Sequence, residues 1–153
     1  MKNMLTCSLL LLLAPFWLST SLALDQGTDL ETYIAGFDYA ARKEMKINSP
    51  ALIKGVIEGK VQLVDIRFRE ETAAWRMGFG LHIPLNELPA RLKEIPKDKI
   101  IVTACPHKDR AILAMAYLRE KGFSARYLED GLVGLAEYLR GDLARDFFFK
   151  LAK

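Results

Sequence analysis

The sequence predicts an α/β fold, a central parallel β-sheet flanked by helices, with a helical N-terminal extension. Three observations carry this. Short apolar runs, several of them rich in β-branched residues, alternate with helix-periodic stretches over residues 61–140, the pattern of βαβ units. Glycines close the helical stretches at Gly59, Gly122 and Gly141. Two helical stretches precede the first apolar run.

Taken in order, Asp25–Asp29 is a polar lead-in. Leu30, Ile34, Phe37 and Ala41 recur at helical spacing and predict a helix over Leu30–Met45. Ser49 and Pro50 read as N-cap and first helical residue of a second helix ending near Gly59. Val61–Ile66 is a short apolar run, a buried strand. "EETAAW" reads as a short helix, and "LHIPLNEL" as a brief strand, then Pro84, then a helix from Asn86 to about Lys93. "DKIIVTA" is a strand by its β-branched content. Asp109–Lys121 is an amphipathic helix stopped by Gly122. "SARYLE" is another strand, Asp130-Gly131 a turn, Leu132–Arg140 a helix, and Asp142–Ala152 a final helix whose Phe147-Phe148-Phe149 run packs it on the body.

A length of 153 residues suits one domain, and 51% apolar with 27% charged residues fits an ordinary soluble globular protein. The formal charge is only +3, and basic residues mingle with acidic ones, as at Arg67, Arg69, Glu70 and Glu71. That is poor support for the one-signed patch a nucleic-acid partner needs, and no nucleic-acid partner is expected. The N-terminus differs: Lys2 precedes an apolar run from Met4 to Leu13, and Ser21-Leu22-Ala23 puts small residues at a cleavage site. Residues 1–23 read as a signal peptide cut after Ala23, which places the mature chain outside the cytoplasm, in a bacterial periplasm. Membrane contact then arises only through this segment, if it stays uncleaved.

The chain has two cysteines, Cys7 and Cys105, and Cys7 leaves with the signal. The mature chain therefore forms no internal disulfide, and a lone exported thiol is either buried or used. Cys105 ends the "IIVTA" strand, and Pro106, His107, Lys108, Asp109 and Arg110 follow before the helix. In open α/β sheets, sites form beyond the carboxyl ends of strands. The helix start offers unpaired amides and a favourable dipole for an anion. Those amides, with Lys108, Arg110 and His107, predict a thiol pKa depressed towards neutrality and a nucleophilic thiolate. Asp109 reads as a helix cap that opposes ionisation. Two histidines and one mature cysteine in separate segments do not make a metal-ligand pattern.

"LVDIR", "HIPLNEL", "IIVTACPHKDRAILAMAYLREKGF" and "ARYLEDGLVGLAEYL" together resemble a rhodanese domain, the sulfurtransferase fold, in order and spacing over Val61–Arg140. On that resemblance the chain divides into the signal peptide, a helical segment at 24–59 and a rhodanese-like domain with a C-terminal helix at 60–153. The resemblance implies Cys105 as catalytic nucleophile at the head of a six-residue loop, with His107, Lys108, Asp109 and Arg110 binding substrate. Arg110 serves either as anion ligand or as loop anchor. Asp65 and Arg67 fill the family's Asp-x-Arg position as scaffold contacts behind the site, and His82 is structural. It implies a ping-pong course through a Cys105 persulfide and no cofactor. The donor is then a small sulfur anion of the thiosulfate type; the acceptor is a thiol, cyanide or a protein sulfur acceptor. The sequence departs from the family at Lys108, where glycine is common, at Ala111, where serine is common, and at Trp75-Arg76, in place of Gly-His.

Three other functions compete: a non-catalytic rhodanese-like binding module, a cysteine-dependent phosphatase or arsenate-reductase relative, and a thiol-redox protein. Arg110 follows Cys105 by five positions, one short of the phosphatase spacing, and the mature chain has no resolving cysteine.

Overall fold

The computed structural model describes residues 29–152. The expected signal segment, its cleavage point and Cys7 lie outside the described residues. The core is one parallel five-stranded sheet in the order β1-β5-β4-β2-β3. The strands are β1 (Lys46–Ile47), β2 (Val61–Asp65), β3 (Leu81–His82), β4 (Ile100–Ala104) and β5 (Ala125–Leu128). The helices are α1 (Leu30–Ala35), α2 (Tyr39–Glu44), α3 (Ser49–Ile57), α4 (Arg69–Ala74), α5 (Asp109–Glu120), α6 (Gly131–Tyr138) and α7 (Asp142–Leu151).

The sheet is buried on both faces, as parallel sheets require. Strand alternation sends Val64, Ile66, Ile101 and Cys105 into one apolar cluster with Ala114, Met115 and Leu118 of α5. It sends Leu63, Val102 and Ala104 into the other, with Leu52, Leu132, Leu135 and Phe147 from α3, α6 and α7. The same alternation that buries Ile101 thus aims Cys105 towards the start of α5. Phe147 packs edge-on to Phe79 at 4.8 Å between ring centres, which fixes α7 as expected, while Phe148 and Phe149 stay largely exposed.

Four local expectations are corrected. The helix over 30–45 is two helices: Gly36 ends α1, and Asp38 caps α2 by accepting from the Ala41 amide at 2.8 Å. Asn48, not Ser49, caps α3, accepting from the Ala51 amide at 3.0 Å. Pro84 and Pro89 each remove an amide, and the stretch expected as a helix over 86–93 forms two 3-10 turns, Leu88–Ala90 and Leu92–Glu94. The N-terminal segment also carries a strand. Lys46 and Ile47 pair with Tyr127 and Leu128, too short a pair to show periodicity in sequence.

Candidate active site

β4 lies at the centre of the sheet, and its carboxyl end delivers Cys105. Thr103 is buried and donates from Oγ1 to the Ala111 carbonyl at 2.8 Å, tying the strand to the first turn of α5. Between them the loop Cys105–Lys108 is gripped from α6. The Leu132 amide donates to the Cys105 carbonyl at 2.8 Å, and the Val133 amide to the Pro106 carbonyl at 3.2 Å. Gly131 makes this approach possible. Its φ is +64°, and a Cβ there would strike the carbonyl oxygens of Pro106 and His107. The neighbouring Asp130 accepts from the Ser49 amide at 2.6 Å, so the turn that grips the loop also holds the start of α3.

The Cys105 side chain has no exposed surface. Its thiol donates to Asp109 Oδ1 at 3.5 Å, and Asp109 is itself exposed, so the sulfur lies one side-chain layer below solvent. Burial pushes the thiol above its ordinary 9.0, and the Asp109 carboxylate adds to that; the amides of Ala111 and His107 work in the opposite direction. The expected depression towards neutrality is therefore corrected. The Ala111 and His107 amides favour ionisation, but desolvation and the adjacent carboxylate outweigh them. Asp109 is held below its ordinary range, first by the Arg110 amide and also by the thiol.

His107 and Lys108 are exposed on the loop. Arg110 turns away from solvent and grips Glu71 with both terminal nitrogens, Nη1 to Oε2 at 2.6 Å and Nη2 to Oε1 at 2.8 Å. Its guanidinium also sits 5.6 Å from the centre of the Phe68 ring. Of the two roles open to Arg110, the geometry gives it that of loop anchor. Glu71 also accepts from the Phe68 amide at 3.1 Å, and the Arg110 fork lowers its pKa from 4.5 to about 2. Sequence reasoning missed Glu71, whose only signal was its place in the first turn of a short helix.

Asp65 and Arg67 do not reach the sulfur loop's polar groups. Arg67 is fully buried, donates from Nε and Nη2 to Asp65 and from Nη2 to the Trp75 carbonyl, and stacks 4.0 Å from the Trp75 ring centre. They form a buried ion pair at the end of β2. His82 Nε2 donates to the Arg67 carbonyl at 2.9 Å, closing the same assembly. A cavity of about 330 Å³ lies beside β3, lined by Asp65, Thr72, Arg76, Phe79, Gly80 and His82 among others; the Cys105 loop is not part of it. Among the described residues, no three His, Cys, Asp or Glu side chains converge where a metal ion could be held.

Comparison with known proteins gives consistent results. A family profile described as a rhodanese-like domain matches residues 49–138. A sulfurtransferase of Allochromatium vinosum is 35% identical over 79 residues, 51% of this chain and 74% of that protein. The putative sulfurtransferase YtwF of Bacillus subtilis is 32% identical over 92 residues, 59% of this chain and 89% of that one. Among solved structures, a rhodanese-like domain protein from Staphylococcus aureus superposes with a TM-score of 0.54 at 30% identity, covering 59% of this chain and 89% of its own. The matched span runs from α3 through α6 and takes in the cysteine loop, Glu71 and the Asp65–Arg67 scaffold. With more than half of its length so matched, this chain belongs to the rhodanese-like domain family, within the sulfurtransferase superfamily.

Proposed function

We propose that the protein moves sulfane sulfur from a donor to a thiophilic acceptor through a persulfide on Cys105. The observation that carries this reading is the place of Cys105, at the carboxyl end of the central strand and ahead of α5, where the His107 and Ala111 amides favour its charged form. Such amides stabilise negative charge on sulfur better than they stabilise a neutral thiol. In the first half-reaction the Cys105 thiolate attacks the outer sulfur of the donor. With thiosulfate, a new sulfur–sulfur bond forms at Cys105, the donor's own sulfur–sulfur bond breaks, and sulfite leaves with the electron pair. In the second, a thiolate or cyanide attacks the terminal sulfur and Cys105 leaves as thiolate. Burial of the thiol sets the cost of this course, because the proton must leave before attack. Lys108, exposed at the loop mouth, is the cation available to an incoming anion; Arg110 holds the loop in shape. The N-terminal run of apolar residues supports action outside the cytoplasm, in a bacterial periplasm.

The test is intact mass. The mature protein is incubated with excess thiosulfate, desalted and weighed beside a Cys105→Ser control. A gain of about 32 Da, one sulfur atom, in the cysteine protein alone is the expected result. The full burial of Cys105 favours one rival, a non-catalytic binding module of the same fold. That rival gains if the mass stays unchanged with thiosulfate and with organic persulfides alike.

A further inference from the structure

Among the described residues, Asp109 is the one charged side chain hydrogen-bonded to the sulfur of Cys105, its Oδ1 accepting from the thiol at 3.5 Å. Cys105 has no exposed surface and Asp109 is exposed, so the carboxylate stands on the solvent side of the sulfur. A donor in bonding contact with the sulfur lies within a few ångströms of this carboxylate. Arg110 attracts both Asp109 and the sulfur, but its charge is shared. Both terminal nitrogens of Arg110 are bound to Glu71, which balances that cation locally. Lys108 is exposed and has no ion pair among the described residues, so it answers to solvent and salt. The sulfur therefore meets an incoming donor across a fixed negative charge.

We propose that Asp109 sets the donor class of this site: its carboxylate favours the persulfide of an uncharged or cationic thiol over an inorganic dianion such as thiosulfate. This rests on the reading of Cys105 as a sulfur carrier. The dianion brings two negative charges to within a few ångströms of a third. Each such pair at about 4 Å disfavours approach by roughly fivefold in water and more in a partly dry site. A persulfide R–S–SH with no anionic group escapes this repulsion. Its reaction balances without a further reagent. The Cys105 sulfur attacks the outer sulfur, the bond between the donor's two sulfurs breaks, and the leaving thiolate R–S⁻ takes up the proton that Cys105 shared with Asp109. Cys105–SH and R–S–SH become Cys105–S–SH and R–SH.

The test follows the rate of sulfur loading on Cys105 by intact mass with three donors: cysteamine persulfide, 3-mercaptopropionate persulfide and thiosulfate. The wild-type protein is expected to load in that order, fastest first. In Asp109→Asn the ratio of thiosulfate to cysteamine persulfide rates is expected to rise about 25-fold or more, because the dianion loses two like-charge pairs at roughly fivefold each while the ammonium loses an attraction. Loss of the carboxylate also eases ionisation of the thiol, but this speeds all three donors alike, so the ratio isolates selectivity. Asp109→Ser repeats the charge removal with a residue favoured at helix starts, should the asparagine variant fold poorly. Ratios unchanged in both variants overturn the proposal and leave the sulfur-carrier reading intact. Loading by none of the three donors, with a thiol that still alkylates, overturns the sulfur-carrier reading and this inference with it.

Discussion

At the scale of single residues, the pair Glu71–Arg110 decides how the cysteine loop is held. Arg110 closes the loop and begins α5; Glu71 sits on α4, and the two meet as a two-pronged ion pair. Such pairing is stronger and more directional than a single contact. Glu71 ionises near 2 in the folded protein against 4.5 in an open chain. A carboxylate lowered in this way contributes stability that is complete above 4.5 and fades as pH falls from there towards 2. About a third of the Glu71 side chain is exposed, which screens the pair. Glu71→Gln is therefore expected to cost about 1 kcal/mol at pH 7 and to flatten the acid limb of stability between pH 4.5 and 2, read by urea unfolding at a series of pH values. At this scale the sequence was legible in part. The row Cys105–Arg110 announced a site because polar, rigid and basic residues interrupt an apolar strand and an apolar helix. The thiol's ionisation was misread. Burial raises the thiol first and the Asp109 carboxylate adds to it, and residue order carries neither the depth of the sulfur nor the placement of that carboxylate. Glu71 was invisible for the same reason, being 39 positions from its partner.

At the scale of elements, the contact between the α6 start and the cysteine loop matters most. Two amides of α6 reach two loop carbonyls, and Gly131 allows the backbones to meet. Two glycines with similar φ separate the causes. Gly59 has φ +71° and open space where a Cβ would stand, so Gly59→Ala carries only the backbone penalty, about 1 kcal/mol. Gly131, at +64°, adds collision with the Pro106 and His107 carbonyls. Gly131→Ala is expected to cost about 3 kcal/mol or more by denaturant unfolding and to slow sulfur loading of Cys105, whereas Gly59→Ala leaves loading unchanged. Legibility at this scale followed length. The twelve-residue α5 and the five-residue β2 and β4 are plain in the sequence, because periodicity needs several residues to show. β1 has two residues and lies directly after a helix, so nothing local marks it. The break at Gly36–Asp38 was hidden because Leu30, Ile34, Phe37 and Ala41 keep helical spacing across it.

At the scale of the molecule, the described residues cover both faces of one sheet, and the first and last described helices pack on elements far from them in sequence. On one face Arg119 of α5 donates to the Tyr33 hydroxyl of α1 at 3.3 Å. On the other, α7 seats Phe147 against Phe79 in the cluster beneath β2 and β4. α7 lies beyond the span matched to the family, yet its anchor is as buried as the central strands. Phe147→Ala is therefore expected to cost about 3 kcal/mol in thermal or chemical unfolding, well above the loss from Phe148→Ala on the exposed side. The overall architecture was the most legible level, since alternation of short apolar runs with amphipathic helices constrains topology more tightly than any one residue constrains chemistry. Both outermost strands, β1 and β3, are two residues long. A sheet bounded in this way offers a stranger only a couple of unpaired backbone groups on either flank, too few to template a growing ribbon. These flanks thus give edge-to-edge stacking little to grow from, and the long hydrogen-bonded ladders among β2, β4 and β5 stay private to the interior.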